Sequence, residues 1–300
     1  LKLACLAFSI LLLCYNFDEM ILYNPHDHLS YFKVRGSVLP RACLFGIPSG
    51  VIALVLKTLD INGNIDLEEW DLSDKQTVYQ GFTFVLGFVL VFRASQSYIR
   101  YWASARAVHQ MGAEWYDAAA SLIAFANASD KSKQDKQYFS HLIVRLFCIL
   151  NAMALTEVAG IGNFPLLDIE GMHKDDLAYL ASPLSQGRRV EIVNQWIKTQ
   201  VLKSMNSHLL SVPAPIVTRV FQNLGSGLVH YHEVMQVVIW PFPFPYAQMS
   251  FLLLFVHAIL TPLILSQHSN NVISASALTF TSVVCLKGVE LIAAELENPF

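Results

Sequence analysis

The chain has 300 residues, of which 54% are hydrophobic and only 14% charged, with a formal net charge of −3. Soluble domains usually carry about 25% charged residues, and here charge is missing in blocks, the pattern of a membrane protein. No basic stripe exists to neutralise phosphates, which argues against nucleic acid as a partner, and the five scattered cysteines (Cys5, Cys14, Cys43, Cys148, Cys285) have neither metal-ligand nor redox spacing.

Residues 1–32 contain an apolar stretch, 3–14, behind Lys2. It reads either as the core of a targeting peptide or as an extra helix of the fold. A first apolar run, 41–57, lies between Arg41 and Lys57, which can snorkel to the interface, and carries Gly46 and Gly50 at the spacing that allows close helix approach. The connection that follows, 60–75, is acidic. It mimics a calcium loop from Asp60 to Asp71 but lacks Gly at the sixth position and Glu at the twelfth, so it reads as a solvated turn.

Residues 76–92 carry no charge, and Phe84, Phe88 and Phe92 recur there every four residues. Such residues stack along one helix face. The ladder either packs helices together or lines a narrow apolar throat. No proline occurs between Pro48 and Pro165, so a helix entering near Asp74 can run unbroken to about Ala126. The apolar stretch 141–158 contains Arg145 and Glu157 and reads as the core of a cytosolic helical bundle. Pro213 and Pro215 mark a helix start, whereas the alternating prolines of 240–246 predict a non-helical aromatic joint at the membrane surface.

Between Glu233 and Lys287 no charge occurs, and two apolar stretches, 246–265 and 272–286, form a hairpin whose second arm continues towards Glu297. His257 is an intramembrane polar group, expected to bond a neighbouring carbonyl. Basic flanks (Lys33, Arg35 and Arg41; Arg93, Arg100 and Arg106) put both ends of the first hairpin on the inner side. Glu290, Glu295 and Glu297 are placed to pair with Arg100 or Arg106. His26/His28 and His230/His232 chelate poorly at i, i+2 on a helix, and the sequon Asn127-Ala128-Ser129 falls inside, where it goes unused. No nucleophile elbow, phosphate loop or paired metal motif appears, so an enzyme is not expected.

Four segments carry a resemblance in the right order: Arg35-Gly36-Ser37-Val38; Tyr98-Ile99-Arg100-Tyr101-Trp102 with Ala105-Arg106 and Gly112; Pro241-Phe242-Pro243-Phe244-Pro245-Tyr246; and residues 288–300, ending Glu297-Asn298-Pro299-Phe300. Together these resemble the bestrophin family of ion channels, in its plant, algal and bacterial branch. The resemblance covers about residues 33–300 and implies an all-α integral membrane protein. Each subunit would have four transmembrane helices (about 39–58, 76–98, 246–265, 272–294) and a cytosolic helical bundle (about 99–240), assembled as a homopentamer among membrane lipids.

Aligned on Arg100-Tyr101-Trp102, the resemblance places the pore neck on Phe84, Phe88 and Phe92. Sliding on Leu86-Gly87-Phe88 would place it instead on Gln80, Phe84 and Phe88. It puts a cytosolic aperture near Ile216 and a basic inner mouth at Arg93, Arg100 and Arg106. It implies chloride or bicarbonate as the permeant ion, in a thylakoid or plasma membrane; the alternatives are a cation-conducting homologue and a non-conducting membrane assembly protein or enzyme. Glu295 and Asn298 match two positions of the calcium clasp of animal members, without its acidic run.

Overall fold

The computed structural model describes residues 36–65, 75–160, 174–182 and 187–300. The apolar stretch 3–14, Lys33, Arg35, His26, His28, Cys5, Cys14 and the acidic residues from Asp66 to Asp74 lie outside the described residues. Those described are helical, in order α1 (Leu39–Ile61), α2 (Lys75–Asn127), α3 (Lys133–Ala159), α4 (Lys174–Ala181), α5 (Arg189–Asn206), α6 (Ala214–Ile239), α7 (Phe244–His268) and α8 (Val272–Glu297). Five of them, α1, α2, α3, α7 and α8, are long and apolar enough to cross a membrane. They group into two compact units. One holds α1, residues 75–102 of α2, α7 and α8; the other holds the rest of α2 and α3 to α6.

Proline placement sets several boundaries. Pro40, Pro215 and Pro245 sit in the first turns of α1, α6 and α7, where the missing N–H has no helical partner to lose. The joint expected over 240–246 is therefore shorter. Pro243 caps α7, and Phe244-Pro245-Tyr246 already belongs to its first turn. Helix α2 runs 53 residues without interruption, as the absence of proline predicts.

In the first unit α1 lies close against α8. A Cβ on Gly46 would stand 2.5 Å from Val284 Cγ2, and one on Gly50 3.3 Å from Phe280 Cβ. The first distance is far inside van der Waals contact and needs glycine; the second is tight, and a side chain there would push Phe280 by a few tenths of an ångström. The close approach lets the Ser276 hydroxyl donate to the Gly50 carbonyl at 3.0 Å. Pro262 inside α7 cannot donate to the carbonyl of Ala258 four residues back. Ser49 of α1 supplies the missing donor, Oγ to the Ala258 oxygen at 2.9 Å, at a buried position. Lys57 does not reach for water; it is buried and donates to Asp60 at 2.7 Å.

In the second unit Met111, Trp115 and Leu122 of α2 pack with Phe139, Phe147 and Leu150 of α3, Ile197 of α5 and Leu224 of α6. The stretch 141–158 is thus core, although its composition alone suits a membrane span. Ser132 caps α3 by accepting from the Asp135 N–H at 3.1 Å, and Gly160 ends it at φ +65°, a left-handed position glycine adopts without strain. Gly227 of α6 leaves room for the Trp115 indole, which any Cβ there would overlap.

Candidate functional site

On α2, Leu86, Leu90 and Arg93 face the first unit's interior, the two leucines meeting Leu254 of α7. Phe88 is two residues, about 200° around the helix, from both Leu86 and Leu90. It therefore points away from that interior. Phe84 is 76% exposed and Phe88 67%. Gln80 lies exposed on the same stripe. Within one subunit the ladder is not a packing surface. Phe92 differs: it is 39% exposed and its ring meets Tyr246 at 5.9 Å, which in turn meets Phe242 at 6.0 Å. The aromatic-proline segment thus braces the third rung.

Below the ladder stands a buried ionic cluster. Arg93 is 4% exposed. It donates from Nε to Glu297 Oε1 at 2.6 Å and from Nη2 to Glu297 Oε2 at 3.1 Å, a two-pronged fork. Its Nη1 donates to Ser250 Oγ at 2.9 Å and to Glu290 Oε1 at 3.2 Å. Lys287 donates to the second Glu290 oxygen at 2.7 Å and stands 5.0 Å from the Phe45 ring. Two cations face two carboxylates, so the field of Arg93 is offset where it stands. Of the basic residues grouped with it, Arg106 is exposed and Arg100 half-buried. Glu290 and Glu297 bond Arg93, a partner the sequence did not single out for them, because Arg93 shares the buried face of α2 with Leu86 and Leu90. Glu295 pairs with Arg41 at 3.5 Å.

Higher in the first unit His257 is fully buried. It bonds hydroxyls rather than the expected carbonyl. Its Nε2 lies 3.2 Å from Ser282 Oγ, its Nδ1 3.4 Å from Tyr79 Oη, and its ring stacks on Tyr79 with planes 6° apart. Thr261 donates to the His257 carbonyl at 2.5 Å, so Tyr79 must donate to Thr261 Oγ1, 2.8 Å away. Tyr79 Oη then accepts from His257 Nδ1–H, and Nε2 and the Ser282 hydroxyl share the remaining bond. Tyr79, Thr261, Ser282 and Ser250 were not singled out in the sequence. Their signal is a polar side chain on the buried face of an otherwise apolar span.

Ile216 lies exposed in the first turn of α6. Asn298 ends α8, and among the described residues no group of three or more His, Cys, Asp or Glu stands together as a metal site. Of the two positions that match the clasp, Glu295 pairs with Arg41 at 3.5 Å. His230 and His232 part company, the first to Glu233 at 2.9 Å and the second to Glu191 at 3.5 Å. In the second unit Tyr231 donates to half-buried Glu157.

The sequence matches a family model described as bacterial/fungal bestrophin protein over residues 24–300. Among solved structures, a variant of a bacterial bestrophin homologue from Klebsiella pneumoniae superposes with a TM-score of 0.67 at 12% identity, covering 88% of this chain and 90% of that one. A second variant of the Klebsiella pneumoniae homologue gives 0.68 at 12% identity, covering 87% of each chain. A structure described only as a membrane protein gives 0.68 at 13% identity, with 88% and 90% covered. No curated protein matches the sequence.

Proposed function

The chain belongs to the bestrophin family, and from that membership we propose that it is an ion channel, a homopentamer whose conduit is narrowed by Phe84, Phe88 and Phe92. The observation that carries this reading is the outward stance of Phe84 and Phe88 on a helix whose opposite face is buried. In a membrane span rings so exposed meet either lipid or another copy of the chain, and membership of a channel family favours the copy, arranged by symmetry about a central axis. Helices α1, α7, α8 and residues 76–98 of α2 are the four spans. The second unit is the cytosolic helical region, with Ile216 at its aperture.

Five copies of the ladder form a dry collar. Such a constriction gates by dewetting and passes ions without binding them tightly. Ring edges turned to the lumen present the positive part of the aromatic quadrupole, which favours anions such as chloride or bicarbonate. Arg106, the exposed member of the basic group, raises anion concentration at the inner mouth. Because Arg93 is offset by Glu290 and Glu297, the anion preference rests on the collar and Arg106 rather than on Arg93. Reversal potentials in planar bilayers under a salt gradient test this. An anion channel reverses towards the chloride potential; reversal at the cation potential supports the cation-conducting alternative. Liposomes that pass no halide would refute a channel.

A further inference from the structure

We infer that the collar is positioned by two polar anchors on α2, Tyr79 above it and Arg93 below it, so that these residues set the width of the conduit without touching the permeating ion. This rests on the reading of Phe84 and Phe88 as the neck.

The anchors stand 14 residues apart, about 21 Å of helix. Between them the described contacts of α2 within its unit are apolar, Leu86 and Leu90 against Leu254. The Thr83 hydroxyl turns back to the Tyr79 carbonyl of its own helix at 2.9 Å. Apolar contact is non-directional, so that seam resists separation of the helices but not a small rotation or slide of α2. Rotation matters here. With side-chain tips about 5–6 Å from the helix axis, a turn of about 20° moves a ring edge by about 2 Å. Applied to five copies, this opens or closes a collar of phenyl groups.

Directional bonds fix what the seam leaves free. At the upper end Tyr79 stacks on His257 and joins α7 through Thr261; His257 joins α8 through Ser282. At the lower end the Arg93 guanidinium uses four of its five donors on Ser250 of α7 and Glu290 and Glu297 of α8. A planar fork held at both prongs specifies the rotation of the helix that carries it, as an ammonium does not. Both anchors therefore tie α2 to the same pair of helices, and the rings of Phe84 and Phe88 lie between them.

The test uses the purified full-length assembly in planar bilayers, with Tyr79→Phe and Glu297→Gln made alone and with Phe88→Ala. Tyr79→Phe keeps the stacked ring and removes the hydroxyl; Glu297→Gln weakens the fork but leaves Arg93 paired with Glu290. Each is expected to elute as the parent oligomer and to change unit conductance or permeability ratio on the order of threefold or more, the scale of coupling between interacting residues. With Phe88→Ala, where the collar is already open, the same changes are expected to have little effect. A merely structural role would lower thermal stability and leave conductance unmoved, which overturns the inference. Equal effects with and without Phe88→Ala overturn it as well, since the anchors would then act elsewhere. If Phe88→Ala alone leaves conductance unchanged, the neck reading falls and this inference with it. Altered conductance in Phe88→Ala, with Tyr79→Phe and Glu297→Gln matching the parent, overturns the anchors only. Should Glu297→Gln fail to assemble, Tyr79→Phe decides by the same criteria.

Discussion

Ser49→Ala offers a sharp test of how the first unit is held together. The Ser49 hydroxyl donates at 2.9 Å to the Ala258 carbonyl, the acceptor that Pro262 leaves without its helical donor. Removing the hydroxyl orphans that carbonyl at a buried position. An unsatisfied buried polar group costs about 1–3 kcal/mol, while hydrogen bonds between membrane helices average only about 0.6 kcal/mol. The expected loss is therefore about 1 kcal/mol. The diagnostic variant is Pro262→Ala, which restores an N–H four residues from Ala258. With that donor back, Ser49→Ala is expected to cost almost nothing, so the double-mutant cycle shows a coupling of about 1 kcal/mol. Denaturant titration of the four proteins in mixed micelles, followed by tryptophan fluorescence, measures it. Additive losses in the two backgrounds would refute the claim that Ser49 substitutes for the proline's missing N–H.

Gly46→Ala is expected to force α1 and α8 apart, because its Cβ would meet Val284 Cγ2 at 2.5 Å; overpacking of this kind costs about 1–3 kcal/mol. Gly81→Ala, with nothing within 4 Å, should be neutral or stabilising by up to about 1 kcal/mol, and equal melting temperatures for the two variants would contradict the packing. Gly227→Ala should displace the buried Trp115 indole, visible as a shifted fluorescence maximum and a lower melting temperature. Burial, reinforced by its hydrogen bond to Glu157 and that carboxylate's charge, pushes the Tyr231 phenol up. The unfolded phenol titrates near about 10, so this stability is fully present below that pH and falls as pH rises beyond it. Tyr231→Phe should remove that alkaline component from the stability profile, and an unchanged profile would count against it. Ile216→Ala is expected to change ion permeability ratios without altering the oligomer seen by size exclusion.

Much of this arrangement is legible in the sequence because prolines and charges punctuate it. The uninterrupted α2, the start of α6 and the continuation of α8 past Lys287 all follow from where proline is absent or tolerated. The glycine pair of α1 was visible as a pattern but not its partner, since spacing names a face and only packing names α8. The same holds for Arg93. Its periodicity with Leu86 and Leu90 puts it on the buried face, yet in sequence it looks like its basic neighbours Arg100 and Arg106. The His257 network was out of reach for another reason. Its members come from α2, α7 and α8, and serine and threonine in apolar spans more often bond their own helix, as Thr58 and Thr83 do here. The 240–246 joint was overextended because alternating prolines forbid a helix interior but not a first turn.

The most direct test of the phenylalanine collar is a single-particle reconstruction of the assembled protein. The account predicts five copies about one axis with the Phe84 and Phe88 rings facing it, their edges nearest the centre. Rings wedged between neighbouring subunits, with a different stripe of α2 turned to the axis, would contradict it.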